Sequence, residues 1–313
     1  MPAAPLYVVL NAGSGHEDTE TTSRAIADVF NAVGRTHEIF RVDDPKQLGT
    51  VAQQAVAKAK QNSGSVVAAG GDGTLNTVAQ ATLGSGCLFG VIPSGTFNYF
   101  GRTHGISSDT SVAARALLTA RVQHVQVGMV NDRVFLVNAS IGLHPQLLED
   151  REEQKHRHGR SRLVAAWAAL VTIIRGYRPM LIKLDSDGRK HQLRTLTLFV
   201  VNNRLQLEQM GLESEVVEQE GKLAAIVLGP VSKLSLLWLA LQGALGRLRE
   251  ASGVQRFSLT KLVVTPANRL GRRLKVATDG EVTWMNAPIE FRVAPQPLLL
   301  LVPIDAEPET AKR

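Results

Sequence analysis

Three glycines within four positions, Gly70, Gly71 and Gly73, surround the carboxylate of Asp72 and are followed by Thr74. Residues without a Cβ let the backbone approach a bulky anion and turn sharply. The apolar run Ser65 to Ala69 precedes them, and Leu75-Asn76-Thr77-Val78-Ala79 behind them reads as a helix. The start of that helix offers unbonded N–H groups and the positive end of a dipole, which suits phosphate. A carboxylate beside phosphates makes chemical sense when a divalent cation lies between them. No Gly-Lys-Ser/Thr follows the glycines, so this is not a Walker A loop. A second loop, Pro93-Ser94-Gly95-Thr96-Phe97-Asn98, ends the apolar run Cys87 to Ile92. Two such loops at successive strand ends converge on one crevice, where open α/β sheets bind ligands.

The elements that must carry these loops are legible in the first 120 or so residues. Leu6 to Leu10, His37 to Val42, residues 65 to 69 and residues 87 to 92 read as strands. Between them lie helices over 21–33, ended by Gly34, from Asp44-Pro45 onward, over 74–83, and from an Asp109 cap to about Ala120. Strand–helix alternation implies a parallel sheet covered by helices. Beyond it, Val122 to Val130 and Arg133 to Ala139 read as a hairpin about Asn131-Asp132. Further strands follow over 180–185, 192–201, 222–228, 255–265, 274–278 and 289–293, with helices over 162–175 and 232–249. This part reads as a β-sandwich or a strongly curved antiparallel sheet.

Taken together, Gly70-Gly71-Asp72-Gly73-Thr74-Leu75-Asn76 and Pro93-Ser94-Gly95-Thr96-Phe97-Asn98 resemble the diacylglycerol kinase catalytic-domain family. That family takes in bacterial lipid kinases and the sphingosine and ceramide kinases. Asn11-Ala12-Gly13-Ser14-Gly15, Asn138-Ala139-Ser140-Ile141-Gly142 and Thr278-Asp279-Gly280-Glu281-Val282 agree in order and spacing, so the resemblance covers almost the whole chain. It implies the NAD kinase/diacylglycerol kinase-like architecture. An α/β N-terminal domain over 1–121 is completed by 298–313, whose strand Leu298 to Val302 returns to it. A β-rich, sandwich-like lipid-substrate domain covers 122–297.

The resemblance also implies an ATP-dependent lipid kinase. Asn11, Gly13, Ser14, Gly15, Gly70, Gly71, Asp72, Gly73, Thr74, Leu75, Asn76, Gly95, Thr96 and Asn98 would form the nucleotide seat. Asp72 would hold catalytic Mg2+ through water. Asp279 would be the general base, with Glu281 holding or sharing that role, although Asp-Gly between two strands is also a favoured hairpin turn. Glu220, before Gly221-Lys222, falls where bacterial relatives place a structural Mg2+. Two positions depart from the family pattern: Tyr99 and Gln126 stand where bacterial diacylglycerol kinases carry aspartates of the magnesium network. The alternatives are an NAD kinase-like enzyme, whose second signature is not found here, and a lipid- or nucleotide-binding regulator without turnover.

Composition bounds the partners. The 313 residues carry a net charge of +7, with 44% hydrophobic residues and 5% aromatics. The basic balance points to an anionic partner. With no recognisable nucleic-acid module, a membrane surface is favoured over nucleic acid. The family admits a homodimer. One cysteine, Cys87, excludes an intrachain disulfide and fits a reducing compartment. The start has no basic, apolar leader pattern and no run is long enough to span a bilayer, so the expectation is a cytoplasmic protein transiently peripheral to the membrane. His156 and His158 lie in the charged stretch 151–160 without a metal-site pattern, and a solvated or headgroup-binding loop is expected there.

Overall fold

The computed structural model describes residues 4–12, 19–149, 179–186, 188–209, 221–232, 235, 254–267 and 273–305. Gly13, Ser14, Gly15, Glu220, His156, His158 and nearly all of the helices expected over 162–175 and 232–249 lie outside the described residues.

The chain divides into two compact units, Met1–Val127 with Ala294–Arg313, and Gly128–Val293. In the first, strands β1 (Leu6–Asn11), β2 (His37–Val42), β3 (Ser65–Gly70), β4 (Leu88–Pro93), β5 (Arg121–Val125) and β18 (Leu298–Val302) form one sheet in the order β2-β1-β3-β4-β18-β5. All neighbours run parallel except β5, which pairs antiparallel with β18. The central strand β3 is buried along its whole length, as a parallel strand covered on both faces must be. Helix α1 (Thr19–Asn31) buries Thr22, Ile26 and Phe30, one residue per turn along a single stripe. Helix α2 (Leu48–Gln61) buries Leu48, Ala52, Ala55, Val56 and Ala59 in the same way. The Asp44 side chain accepts from the Lys46 amide at 3.0 Å and caps a 3-10 turn, Pro45–Gln47, that leads into α2. Helix α5 (Thr110–Ala116) is capped by Asp109, which accepts from the Val112 amide at 2.8 Å.

The segment expected as one strand over Val122 to Val130 is two. Its first half, β5, is an edge of the first sheet. The hairpin consists of β6 (Gly128–Val130) and β7 (Arg133–Phe135) in the second unit. The units therefore divide after Val127 rather than after residue 121. On the return, Ala294 already bonds to Val127, so the division also precedes residue 298.

The second unit is a sandwich of two six-stranded antiparallel sheets. One has the order β10-β9-β14-β17-β6-β7, with β9 (Met180–Ser186), β10 (Arg189–Thr195), β14 (Lys261–Pro266) and β17 (Ile289–Val293). The other has the order β13-β12-β11-β8-β15-β16. Its strands are β8 (Asn138–Gly142), β11 (Thr197–Val201), β12 (Leu223–Leu228), β13 (Val254–Leu259), β15 (Arg273–Thr278) and β16 (Glu281–Asn286). Alternate residues of both sheets meet in one core that includes Phe135, Ile182, Leu262 and Phe291 from the first, and Ile141, Leu198 and Val276 from the second. Complete burial of Phe135 and Phe291 contributes about 1.5–3 kcal/mol each. The strands expected over 192–201 and 255–265 each divide at a corner, at Leu196 and Thr260, where the chain passes from one sheet to the other.

Candidate functional site

In a doubly wound sheet the crevice for a ligand opens at the carboxyl ends of the strands where the order reverses. Here that point lies between β1 and β3, because β2 flanks β1 on one side while β3 and β4 continue on the other. Asn11 is the last residue of β1, and Gly70 is the last of β3. Asn11 Nδ2 donates to Thr74 Oγ1 at 2.9 Å and ties the two strand ends together across the crevice.

Helix α3 (Asp72–Thr82) begins two residues earlier than the pattern from Thr74 suggested. Gly71 is its extended N-cap residue, with φ −79° and ψ 178°, so Asp72 and Gly73 belong to the first helical turn. Gly71 brings no side chain to cap this end, and the first amides of any helix lack an intrahelical partner. Leu75 is different: its amide bonds to the Gly71 carbonyl at 3.0 Å and its side chain is fully buried. Thr74 is also buried, with its hydroxyl engaged by Asn11. Leu75 and Thr74 are therefore held inside the junction of loop and helix rather than presented at its surface.

The second loop packs directly on the first. The Ser94 amide bonds to the Gly70 carbonyl at 2.9 Å. A Cβ on Gly95 would lie 2.8 Å from the Gly71 Cα and 2.9 Å from Asn98 Oδ1, so only glycine permits this approach. Asn98 is buried in a left-handed conformation, φ 49°, and its Oδ1 accepts from the Gly95 amide at 2.8 Å. It organises the loop, while Thr96 is exposed and Asn76 half-buried. Helix α4 (Tyr99–Thr103) follows. Burial raises the pKa of the Tyr99 phenol; Arg102 opposes that shift and the charge of Asp72 adds to it, so Tyr99 and Asp72 are within electrostatic reach. Gln126 lies in the link between β5 and β6.

Asp279 and Glu281 belong to the second unit, at the β15–β16 turn. Asp279 (φ 47°) and Gly280 (φ 93°) are both left-handed, the geometry of a two-residue type I′ hairpin. The Asp279 carboxylate is heavily engaged. Oδ2 accepts from the Leu136 amide at 2.7 Å, and Oδ1 accepts from the Val137 and Asn138 amides, both at 2.9 Å. The Asp279 amide in turn donates to the Asn138 carbonyl at 2.9 Å. Around this clasp, Asn138 Nδ2 donates to Gln206 Oε1 at 3.0 Å, and Asn202 Nδ2 donates to the Leu136 carbonyl at 3.1 Å. Of the stretch Asn138 to Gly142, it is Asn138 that holds Asp279, through both its amide and its carbonyl.

Glu281 opens β16 opposite Thr278. Much of the residue is exposed, yet its carboxyl head is crowded enough that lost hydration raises its pKa. Arg133 opposes the rise and Asp279 adds to it. Among the described residues no cluster of three or more His, Cys, Asp or Glu could hold a metal ion by itself. No described helix is long and apolar enough to cross a membrane.

Two regions of the chain match known families. Residues 5–130 match the diacylglycerol kinase catalytic domain, and residues 147–302 match the YegS C-terminal NAD kinase beta sandwich-like domain. A diacylglycerol kinase of Staphylococcus saprophyticus is 29% identical over 137 residues, 43% of this chain and 44% of that one. One from Staphylococcus aureus (strain bovine RF122 / ET3-1) is 34% identical over 137 residues, 43% of this chain and 42% of that one. The chain thus spans less than half the length of these curated relatives. A crystal structure of a diacylglycerol kinase from Bacillus anthracis str. Sterne covers 97% of this chain and 98% of its own, with a TM-score of 0.68 and 16% identity, a likeness of fold.

Proposed function

Because the chain belongs to the diacylglycerol kinase catalytic-domain family, whose model matches residues 5–130, and residues 147–302 match the YegS C-terminal NAD kinase beta sandwich-like domain, we propose that it is a lipid kinase. It transfers the γ-phosphoryl group of ATP to a hydroxyl of a membrane lipid. The observation that carries this reading is the cradle at the β1/β3 reversal, where Gly71 and Gly95 lie in contact at the start of α3. Phosphoryl transfer needs little covalent help from the protein; positioning and charge stabilisation suffice.

The α3 amides and dipole seat the phosphates. Asp72, in the first turn, would hold Mg2+, which suits an ion that takes one or two carboxylates and completes its shell with substrate oxygens. An ion held there would supply positive charge against what develops on the transferring group. Glu281 takes the proton of the acceptor hydroxyl. A carboxylate whose pKa is raised by lost hydration is the better base near neutrality. Asp279 is the positioning residue: its lone pairs already face three amide donors, so a hydroxyl proton would compete with bonds the turn depends on.

The acceptor is a lipid on an anionic bilayer. The outer face of the β10-β9-β14 side of the sandwich presents exposed Lys183, Lys190, Arg194 and Lys261, in line with the net charge of +7. The test is transfer of labelled phosphate from ATP to vesicles containing diacylglycerol, sphingoid bases, phosphatidylglycerol or polyprenols, with an NAD arm beside them. Label appearing in NADP and in no lipid would refute the reading. Tyr99, in place of an aspartate beside Asp72, favours a second reading, a regulator that binds nucleotide and lipid without turnover. In that case Asp72→Ala and wild type would be indistinguishable in the same assay.

A further inference from the structure

Phe97 presents an aromatic ring beside the phosphate seat, with 47% of its surface accessible. Tyr99 lies parallel to it, the ring centroids 5.7 Å apart and the planes within 8°. The stack is firmly mounted. Between the rings, Asn98 is left-handed and bonded through Oδ1 to the Gly95 amide. Arg102 binds the loop from below, its amide donating to the Asn98 carbonyl at 2.9 Å and its Nη1 to the Phe97 carbonyl at 3.4 Å.

The distance from ring to seat is short. Gly95 touches Gly71, and a Cβ on it would lie 3.6 Å from the Asp72 amide. Two residues of chain span at most about 7 Å, which bounds the step from Gly95 to Phe97. A nucleoside triphosphate held by its phosphates at the start of α3 is long enough for its base to reach that ring. A lipid chain needs apolar area but no plane, whereas a parallel ring pair offers a plane, the surface that a flat heterocycle stacks on.

We propose that Phe97, backed by Tyr99, is the platform on which the base of the donor nucleotide stacks. This rests on the kinase reading above and adds where the nucleoside goes. Every nucleobase has a π-face, so the platform binds adenine and guanine nucleotides with similar strength.

The test is calorimetric titration of wild type, Phe97→Ala and Phe97→Trp with ATP and, separately, inorganic tripolyphosphate, Mg2+ present throughout. Base stacking on an aromatic side chain corresponds to about five- to a hundredfold in affinity. Phe97→Ala should weaken ATP binding by that factor and leave tripolyphosphate unchanged, while Phe97→Trp keeps or improves the ATP affinity. Thermal unfolding should match wild type in both variants, since the ring is exposed. The platform is overturned if Phe97→Ala leaves ATP affinity unchanged, or weakens both ligands equally. Lost vesicle binding with ATP affinity intact would instead assign the ring to the membrane. A wild-type protein that binds neither ligand refutes the phosphate seat itself, and the platform with it.

Discussion

Replacing Asp279 by Asn separates the two carboxylates of the β15–β16 turn, because it removes charge and one acceptor without disturbing the backbone. Asparagine tolerates the left-handed region almost as readily as glycine, so φ 47° costs nothing new. The carboxamide oxygen can keep the bonds from Val137 and Asn138, both made to Oδ1. Its NH2 then faces the Leu136 amide, donor against donor, at a residue only 2% exposed. Losing a hydrogen bond to a charged acceptor costs about 1.5–3 kcal/mol. The two surviving bonds drop from charge-assisted to neutral strength, roughly half, for about 1–2 kcal/mol more. The sum, about 2.5–5 kcal/mol, is a large part of a typical total stability of roughly 5–15 kcal/mol. Urea unfolding of the whole chain reads it directly. Glu281→Gln, by contrast, should keep the fold and lower turnover by about 10²–10⁴, the usual worth of a general base. Its pH profile adds a signature. Wild-type kcat/KM should rise as Glu281 deprotonates, with an inflection above the ordinary value of 4.5, and Glu281→Gln should lose that inflection. If Asp279→Asn proved as stable as wild type while losing more turnover than Glu281→Gln, the assignment of roles would be reversed.

The raised pKa of Glu281 also predicts a stability effect. Its folded value lies above its unfolded one, so ionisation disfavours the folded state; Glu281→Gln should be more stable than wild type at neutral pH, with the gain vanishing below about pH 4 in urea titrations at stepped pH. Gly95→Ala places a methyl 2.8 Å from the Gly71 Cα, where no flexible side chain can yield; overpacking of this kind costs about 1–3 kcal/mol, and the ATP Kd should rise with it. A double-mutant cycle on Asn11→Ala and Thr74→Val should give a coupling of about 0.5–1.5 kcal/mol in urea unfolding, whereas additive effects would mean that the 2.9 Å bond ties nothing. Reversing charge with Lys183→Glu and Arg194→Glu should weaken cosedimentation with phosphatidylglycerol vesicles, and added salt should shrink the difference.

The elements of the first unit are legible because its strands are short apolar runs punctuated by glycine and by capped helices. Asp109 caps a helix that starts at the next residue, Asp44-Pro45 opens a 3-10 turn leading into α2, and the helix expected to run to Gly34 ends at Asn31. The sandwich is harder, since two of its corners carry no glycine or proline. Their signal is a slip in the alternation. Leu193 belongs to one series of apolar positions, while Leu196, Leu198 and Val200 belong to the other. The slip falls at Thr195–Leu196, both buried, where β10 passes into β11 of the opposite sheet. Phe257 and Leu259 give way in the same manner to Leu262 and Val264, and Thr260 is the corner. Reading such a stretch as one strand misses the point at which the inward face changes.

The close approach of the two glycine loops can be found from sequence because glycine is itself the physical requirement: where backbones must touch, no other residue fits. The clasp on Asp279 leaves no such trace. Its donors are the amides of Leu136, Val137 and Asn138, which any non-proline residue could supply. Proton acceptance therefore cannot be assigned from Asp-Gly-Glu by letter. Side-chain length decides it once the partners are known. Asp279 has a single methylene, and both of its oxygens are occupied by the neighbouring loop. Glu281 has two, starts a strand instead of sitting inside the turn, and feels the Asp279 charge as a push toward holding its proton. The shorter carboxylate fixes the turn, and under the proposed kinase reading the longer one would reach the hydroxyl.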